Sequence, residues 1–215
     1  MTPDEKKLHV FRIFRLLCRV FVTVWNRFET RGSENIPAEG GVIVAANHAS
    51  YLDPPVVGSG IMHRVVRFMA RDTLYKKGFV HWLLTNLATV PISRDRGDLA
   101  ALKKSLKVLK DGGCLGVFPE GTRTGDGGLQ TAKGGIGFLI AKSAVPIVPA
   151  YVDGSFRAYP RGAKFIKPVK IRVYYGPPIQ PSEIAALGEG RDSYEKAAAL
   201  VMARIAAIRD EMKHG

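Results

Sequence analysis

Residues 41–53 read GVIVAANHASYLD, and this stretch decides the fold. Its first half, residues 41–46, is an apolar and partly β-branched run without a polar side chain, which is typical of a central strand buried on both faces. Its second half places His48 and Asp53 directly after that strand. In open α/β sheets, ligands bind at the carboxyl ends of the strands. The stretch therefore predicts a buried strand that delivers two polar side chains to the edge of a sheet.

Outward from this stretch, short apolar runs alternate with helical patterns, as in a largely parallel sheet covered by helices. The apolar runs predict further strands at residues 65–69, 89–92, 114–118, 147–152 and 170–175. Helices are predicted at residues 98–110, 133–142 and 192–212. The fold class is therefore α/β, with a largely parallel, mixed sheet in one domain at residues 32–215. An N-terminal amphipathic helix is expected within residues 1–31.

The composition favours an anionic partner. Thirty-two Lys and Arg residues against nineteen Asp and Glu give a net charge of +13 over 215 residues, which suits phosphate, anionic lipid or nucleic acid. A nucleic-acid-binding module would concentrate its basic residues on one reading element. Here they divide between the N-terminal helix, the region of Arg71 and residues 98–110, so no nucleic-acid partner is expected. Two scattered cysteines, Cys18 and Cys114, exclude a disulfide framework and favour a reduced, intracellular chain.

No membrane-spanning helix is expected. The longest uncharged run, residues 78–93, has 16 residues and includes polar side chains, whereas a spanning helix needs about 18 or more apolar residues. The N-terminus also lacks the pattern of a signal peptide, because Arg12, Arg15 and Arg19 interrupt the apolar region that such a peptide requires.

Residues 8–28 contain no Pro or Gly and predict an amphipathic helix. The polar stripe is narrow and basic, while the opposite side is broad, apolar and aromatic, as in helices that lie in a membrane interface. In this interpretation the apolar side chains enter the acyl region and the arginines bind lipid phosphates. The residues expected to bind the membrane are Phe11, Arg12, Phe14, Arg15, Arg19, Phe21 and Trp25. The alternative is a helix that covers the protein's own core, with the arginines on its solvated face.

His48 and Asp53 form the first candidate catalytic pair. An aspartate that accepts a hydrogen bond from one imidazole nitrogen fixes the tautomer, and the other nitrogen can then take a proton from a hydroxyl. The spacing alone is weak evidence for this role. Without further support, His48 could equally be a hydrogen-bonded histidine that caps a helix.

A second polar block, residues 118–124 (FPEGTRT), also follows a predicted buried strand. If the two strands are parallel, this block lies at the same sheet edge as His48. Gly121 permits a positive φ, which would let backbone N–H groups converge on an anion, and Arg123 supplies a fork suited to phosphate. The alternative is a tight turn with Arg123 as a surface charge.

Together these blocks resemble the glycerolipid acyltransferases, most closely the bacterial 1-acyl-sn-glycerol-3-phosphate acyltransferases. Four blocks match in order over about residues 32–175: NHxSxLD at 47–53, VPISR at 90–94, FPEGTRT at 118–124 and VPIVPAYV at 145–152. The first and third are highly specific in combination. The resemblance implies one α/β acyltransferase domain with its active site beside an acyl-binding tunnel.

When the roles of the family's residues are carried over by position, the resemblance implies that His48 is the general base and Asp53 its orienting partner. It implies acceptor contacts from Glu120, Gly121 and Thr122, with Arg123 as a phosphate ligand. Further basic candidates for substrate binding are Arg71, Arg94 and Lys133. Two positions depart from the family pattern: Arg71 stands where relatives commonly have lysine, and Ser93 replaces an acidic residue that often precedes the arginine.

The implied reaction moves an acyl group from a thioester, acyl-CoA or acyl-carrier protein, to the sn-2 hydroxyl of lysophosphatidic acid. No cofactor is expected, and no cluster of ligand residues suggests a metal. No covalent intermediate is needed, because a thioester is already activated. Membrane lipids are the expected partners, and the expected location is peripheral, at the cytoplasmic face of the cell membrane. Three alternatives stay open: another lyso-lipid acceptor such as lyso-ornithine lipid or a glycolipid, a thioester hydrolase, and a non-catalytic lipid-surface protein.

Overall fold

The computed structural model describes residues 3–75, 78–87, 89–92 and 99–214. In chain order, its helices and strands are α1 (Pro3–Asn26), β1 (Glu29–Arg31), β2 (Val42–Ala46), α2 (Asp53–Gly60), β3 (Val66–Arg71), α3 (Phe79–Asn86), β4 (Val90–Ile92), α4 (Leu99–Lys110), β5 (Cys114–Val117), α5 (Gly134–Ser143), β6 (Ile147–Asp153), α6 (Ser155–Ala158), β7 (Arg172–Tyr175), α7 (Pro181–Ala185) and α8 (Arg191–His214).

The strands form a seven-stranded sheet in the order β1-β7-β6-β2-β5-β3-β4. All neighbouring pairs are parallel except β6 and β7, which are antiparallel. The central strand is β2, between β5 and β6. Because β2 and β5 are parallel, the loops that follow them emerge at the same sheet edge, which brings residues 47–53 beside residues 118–124.

Two apolar layers cover the sheet, and β2 contributes to both. Val44 packs in one layer with residues of α2 and β7, while Ile43 packs in the other with residues of α5 and α8. Every residue of β2 is buried. This burial on both faces explains why the sequence of the strand is an uninterrupted apolar run.

The α/β fold with a largely parallel, mixed sheet is confirmed, and each predicted strand and helix is present within a few residues of its expected bounds. The structure adds elements that were not predicted, including α2, α3 and the edge strand β1. Because β1 pairs with β7, residues 29–31 belong to the same sheet as the rest of the domain. The predicted division after residue 31 therefore does not coincide with a break in the fold.

Helix α1 is present but oriented differently from the prediction. Arg15 donates to the carbonyl oxygens of Ile61 and Arg64 at 2.9 and 2.7 Å, and Arg19 donates to that of Ser59 at 2.6 Å. These carbonyls lie at and just beyond the C-terminal end of α2, where the helix dipole favours a cation. The two guanidinium groups therefore bind the protein. They neither bind lipid phosphates nor form a solvated face, which were the two expectations from the sequence.

The contact of α1 with the rest of the protein buries some of its apolar side chains and leaves others exposed. Phe11, expected to bind the membrane, is buried, and Phe14 is half-buried. Arg12 is exposed. The outward face of α1 consists of exposed large apolar side chains, which are Ile13, Leu16, Leu17, Val20, Phe21, Val24 and Trp25. Within the described ranges, no helix combines the length and the hydropathy that a bilayer span requires.

Candidate active site

His48 and Asp53 meet at the carboxyl end of β2. The His48 Nδ1 atom lies 2.8 Å from Asp53 Oδ2, which also accepts hydrogen bonds from the backbone N–H groups of Ala49 and Ser50 at 2.6 and 2.7 Å. Asp53 is fully buried and begins α2, where the helix dipole stabilises a negative charge. An ionised Asp53 only accepts, so Nδ1 carries the proton and Nε2 keeps a free lone pair. The pair therefore has the geometry of a base and its orienting partner.

The imidazole of His48 is held from the side as well. It stacks on the ring of Phe118, with 4.2 Å between ring centroids and an interplanar angle of 18°, and Phe118 stacks in turn on Phe68. His48 lines a cavity of about 780 Å³ whose walls come from α1, α2, β3, α3 and the loops after β2 and β5. Most of the lining is apolar, with contributions such as Phe14, Leu83 and Leu84. The cavity can hold a long apolar group beside a polar end.

Two residues of the 47–53 block were not assigned a role from the sequence, and both fix the loop. The Asn47 side chain bonds both backbone groups of Val152, accepting at 2.7 Å and donating at 3.1 Å, and so ties the end of β2 to β6. Ser50 donates to the Tyr159 carbonyl at 2.8 Å and accepts from the Leu52 N–H. Their signal in the sequence was their presence in the block that resembles the family.

The FPEGTRT block forms the turn that the sequence allowed. Gly121 has a φ of 63°, and its N–H donates to the Phe118 carbonyl at 2.9 Å. Gly121 and Thr122 line the cavity, as does Arg123. The block also contacts the loop at residues 47–53, because the Thr124 N–H donates to the His48 carbonyl at 2.9 Å.

Glu120 lies behind this loop and not on the cavity wall. It is 1% exposed, and its Oε1 accepts a hydrogen bond from the backbone N–H of His48 at 3.0 Å. Together with Thr124, it bonds both sides of the His48 main chain. This position differs from the direct acceptor contact expected for Glu120, since its buried carboxyl group bonds the loop at residues 47–53.

Burial has a strong effect on the ionisation of Glu120. Desolvation raises the pKa of its carboxyl group to about 7, although the hydrogen bond from the His48 N–H lowers it in part. The nearby charge of Asp53 raises the pKa further. The Glu120 carboxyl group is therefore partly protonated near neutral pH.

Arg123 is held over the ring of Tyr51. Its guanidinium carbon lies 3.4 Å from the ring centroid, and Tyr51 is itself in the cavity wall. The Nη1 atom of Arg123 is buried without a hydrogen-bond partner among the residues that the structure describes. Stacking on an aromatic face fixes the plane of the guanidinium and leaves its edge free for a planar or tetrahedral anion.

The remaining candidate substrate ligands are Lys133, Arg71 and Arg94. Lys133 is exposed and precedes α5, with its aliphatic carbons over Gly121. Arg71 ends β3, and Arg94 lies outside the described residues. Arg161, which the sequence did not single out, lines the cavity. Within the described part of the chain, no three His, Cys, Asp or Glu side chains are grouped as a metal site requires.

Comparison with known proteins gives a consistent result. The acyltransferase family model matches residues 27–153. A 1-acyl-sn-glycerol-3-phosphate acyltransferase of Bacillus subtilis is 26% identical over 192 residues, which cover 89% of this chain and 92% of that protein. A chloroplast enzyme of the same name from Arabidopsis thaliana is 28% identical, and the match spans 52% of its length.

A solved structure extends the similarity to the fold. The crystal structure of the 1-acyl-sn-glycerophosphate acyltransferase PlsC from Thermotoga maritima superposes with a TM-score of 0.77 at 26% identity. The superposition covers 97% of this chain and 84% of that one.

Proposed function

The chain belongs to the acyltransferase family, and from that premise we propose that it acylates the sn-2 hydroxyl of a 1-acyl-glycerol-3-phosphate, giving phosphatidic acid. The relatives named above carry this activity in their names. The observation that carries the proposal is the His48–Asp53 pair, which faces an apolar cavity that also presents Arg123. A lysophosphatidic acid offers the matching groups: an acyl chain, a hydroxyl and a phosphate.

In the proposed mechanism, Nε2 of His48 takes the proton of the sn-2 hydroxyl as its oxygen attacks the thioester carbonyl. The new C–O bond forms, the C–S bond breaks, and the imidazolium returns its proton to the leaving thiolate. Asp53 stabilises the imidazolium and holds the ring in one orientation. The donor is an acyl thioester, either acyl-CoA or acyl-carrier protein.

Direct transfer is favoured because neither cysteine is suited to be a nucleophile. Burial raises the pKa of the Cys18 thiol to about 11 and that of Cys114 to about 12, so both are neutral thiols near pH 7. Cys18 lies in the cavity wall, whereas Cys114 is a buried residue of β5.

The acceptor phosphate is assigned to Arg123. Tyr51 fixes the guanidinium, and the orphaned Nη1 supplies a donor that an anion can use. Thr122 and Gly121 adjoin this position in the cavity wall. The substrate-binding roles expected for Arg71, Arg94 and Lys133 stay predictions. Glu120 is a positioning residue, because it bonds the backbone of His48.

The proposal extends to the location of the enzyme. The exposed apolar face of α1 is the expected contact with a membrane, so that lipid substrates reach the cavity from the bilayer. We keep peripheral binding at the cytoplasmic face as the prediction, with α1 as the membrane element and residues 32–215 as the catalytic part.

The deciding experiment measures thiol release from palmitoyl-CoA with detergent-dispersed lysophosphatidic acid, beside a reaction without acceptor and the His48→Ala variant. Acceptor-dependent release that His48→Ala loses supports the proposal. Release without acceptor would show a thioester hydrolase. If no thiol is released from this donor, acyl-carrier protein and then other lyso-lipid acceptors are tested. Activity with only one of those acceptors would identify it as the substrate instead of lysophosphatidate.

A further inference from the structure

Residues 159–170, which follow α6, present an unusual combination of side chains. Phe165 is 73% exposed, among the highest values for a large apolar side chain in the described part of the protein. The surrounding sequence is strongly basic: residues 154–182 contain six Lys and Arg residues and no Asp or Glu. An exposed aromatic ring among cations is costly in water and favourable at a lipid surface.

Half of these cations are already paired. Arg157 and Arg172 both bind Asp153, and Lys170 binds Glu29 at 2.5 Å. The other three, Arg161, Lys164 and Lys167, are exposed, and no ion pair joins them to any residue within the described ranges. The free positive charge of the segment therefore surrounds Phe165.

The segment is fixed against the C-terminal end of α1. Trp25 Nε1 donates to the Ile166 carbonyl at 2.9 Å, and the Asn26 side chain donates to the carbonyls of Lys167 and Val169 at 2.8 and 2.9 Å. Phe165 and Lys164 share a surface depression of about 380 Å³ with Phe21 and Trp25 of α1. Phe165 therefore extends the outward apolar face of α1 instead of forming a separate patch.

We propose that residues 159–170 form a second lipid-binding element beside α1. Phe165 enters the acyl region of an anionic bilayer, while Arg161, Lys164 and Lys167 bind lipid phosphates at the headgroup level. This inference rests on the proposed membrane contact of α1. Both membrane elements border the cavity, because residues of α1 and Arg161 line it.

The charge favours a bilayer over a second copy of this chain. In a symmetric dimer the same patch would face itself, so the three unpaired cations of one copy would oppose those of the other. An anionic bilayer instead supplies phosphates for these cations and acyl chains for Phe165 in the same geometry.

The first test is flotation of the full chain with vesicles that mix phosphatidylcholine and phosphatidylglycerol. Phe165→Ser is expected to weaken binding about tenfold. Leu99→Ser is the matched control, because Leu99 is 66% exposed but begins α4, which packs on α5, β4 and β5. The control should bind as the wild type does. Because Phe165 is exposed, the melting temperature of Phe165→Ser should equal that of the wild type, which will show that the variant is folded.

Two further variants separate the apolar and ionic contributions. Phe165→Trp should keep binding and gain fluorescence that brominated acyl chains quench, measured against the wild type. The Lys164→Glu and Lys167→Glu double variant should lose affinity for anionic vesicles by at least about fivefold. On vesicles of phosphatidylcholine alone, this double variant should bind as the wild type does.

Distinct results would overturn the inference. Wild-type binding by Phe165→Ser, or no additional quenching in Phe165→Trp, would show that the segment does not enter the bilayer. A dimer in sedimentation that Phe165→Ser dissociates, with vesicle binding unchanged, would identify a second copy as the occupant. Val24→Ser tests α1 separately. Thiol release by the wild type in detergent tests the proposed reaction without a bilayer, so the two proposals can fail independently.

Discussion

Residues 47–53 and helix α1 both border the cavity, but they place their polar and apolar groups in opposite ways. In the loop, Asp53 is fully buried and accepts three hydrogen bonds. In α1, seven large apolar side chains face outward, whereas Arg15 and Arg19 face the protein. The loop bonds the side chains of Asn47 and Ser50 and the Oδ2 atom of Asp53 within the fold, whereas the helix leaves apolar area for a surface outside it. Changes in the loop should therefore alter chemistry, and changes on the outer face of α1 should not alter the fold.

The largest effect is expected from Asp53→Asn, which tests the loop half of this comparison. The amide removes the charge that stabilises the imidazolium and no longer enforces a proton on Nδ1, so kcat should fall about 10²- to 10⁴-fold. Asp111→Asn is the control, since Asp111 is an exposed carboxylate that pairs with Lys107. Steady-state thiol release measures both. Activity above a tenth of the wild-type value would remove Asp53 from the mechanism.

Arg15→Leu tests whether the inward arginines hold α1 in place. The change deprives two carbonyl groups of their charged donor, and we expect the free energy of unfolding to fall by about 2–4 kcal/mol. Arg12→Leu, on the exposed side of the same helix, should change it by less than about 0.5 kcal/mol. Urea denaturation measures both values. Equal stability of the two variants would show that α1 is held by its apolar contacts alone.

Glu120→Gln tests how a buried carboxyl group supports the loop at residues 47–53. The pKa of Glu120 is raised from 4.5 to about 7, so the folded chain keeps a proton that the unfolded chain releases across that range, and wild-type stability falls as the pH rises. Gln cannot ionise but still accepts from the His48 N–H. The variant should therefore gain stability relative to the wild type, by about 3 kcal/mol at pH 8 and much less at pH 5.

Thermal unfolding at both pH values measures this difference. Glu120→Ala is the companion variant, because it removes the acceptor as well as the charge and should lower stability at both pH values. A difference between Glu120→Gln and the wild type that does not change with pH would contradict the raised pKa.

The sheet could be predicted from the sequence because strands buried on both faces have uninterrupted apolar sequences. The apolar run of β2 predicted a central strand, and the two polar blocks predicted a shared edge, which the parallel pairing of β2 and β5 confirms. Strand β1 was missed because three residues with exposed ends carry no period. Helix α2 was missed because two prolines and two glycines obscure its pattern.

The orientation of α1 could not be predicted for a different reason. Helical periodicity separates Arg15 and Arg19 from the apolar side chains, but it does not say which side meets the protein. That depended on the carbonyl groups at the end of α2, an element that was not predicted. Likewise, the motif placed Glu120 near His48, but only the fold shows that its carboxyl group points behind the loop.

A smaller effect is expected from Tyr51→Leu, which separates substrate positioning from chemistry within the polar region. Loss of the ring beneath Arg123 removes a stacking contact of about 1 kcal/mol, so KM for lysophosphatidate should rise roughly fivefold with little change in kcat. Tyr51→Phe keeps the aromatic face and should restore KM. Kinetics with varied acceptor measure both. A fall in kcat with unchanged KM would place Tyr51 in the chemistry and not beneath the phosphate ligand.

The smallest effect on stability is expected from Val24→Ser in α1, compared with Val22→Ser in the same helix. Val24 is 77% exposed and Val22 is 2% exposed. Val24→Ser should change the free energy of unfolding by less than about 0.5 kcal/mol, whereas Val22→Ser should lower it by about 2 kcal/mol because it places a hydroxyl in the core. Urea denaturation without lipid measures both.

Val24→Ser should nevertheless weaken vesicle binding, because the apolar area that it removes contributes to contact with the bilayer and not to the fold. Equal destabilisation by the two variants would mean that the outer face of α1 is covered by protein, and the contrast between the loop and the helix would no longer hold.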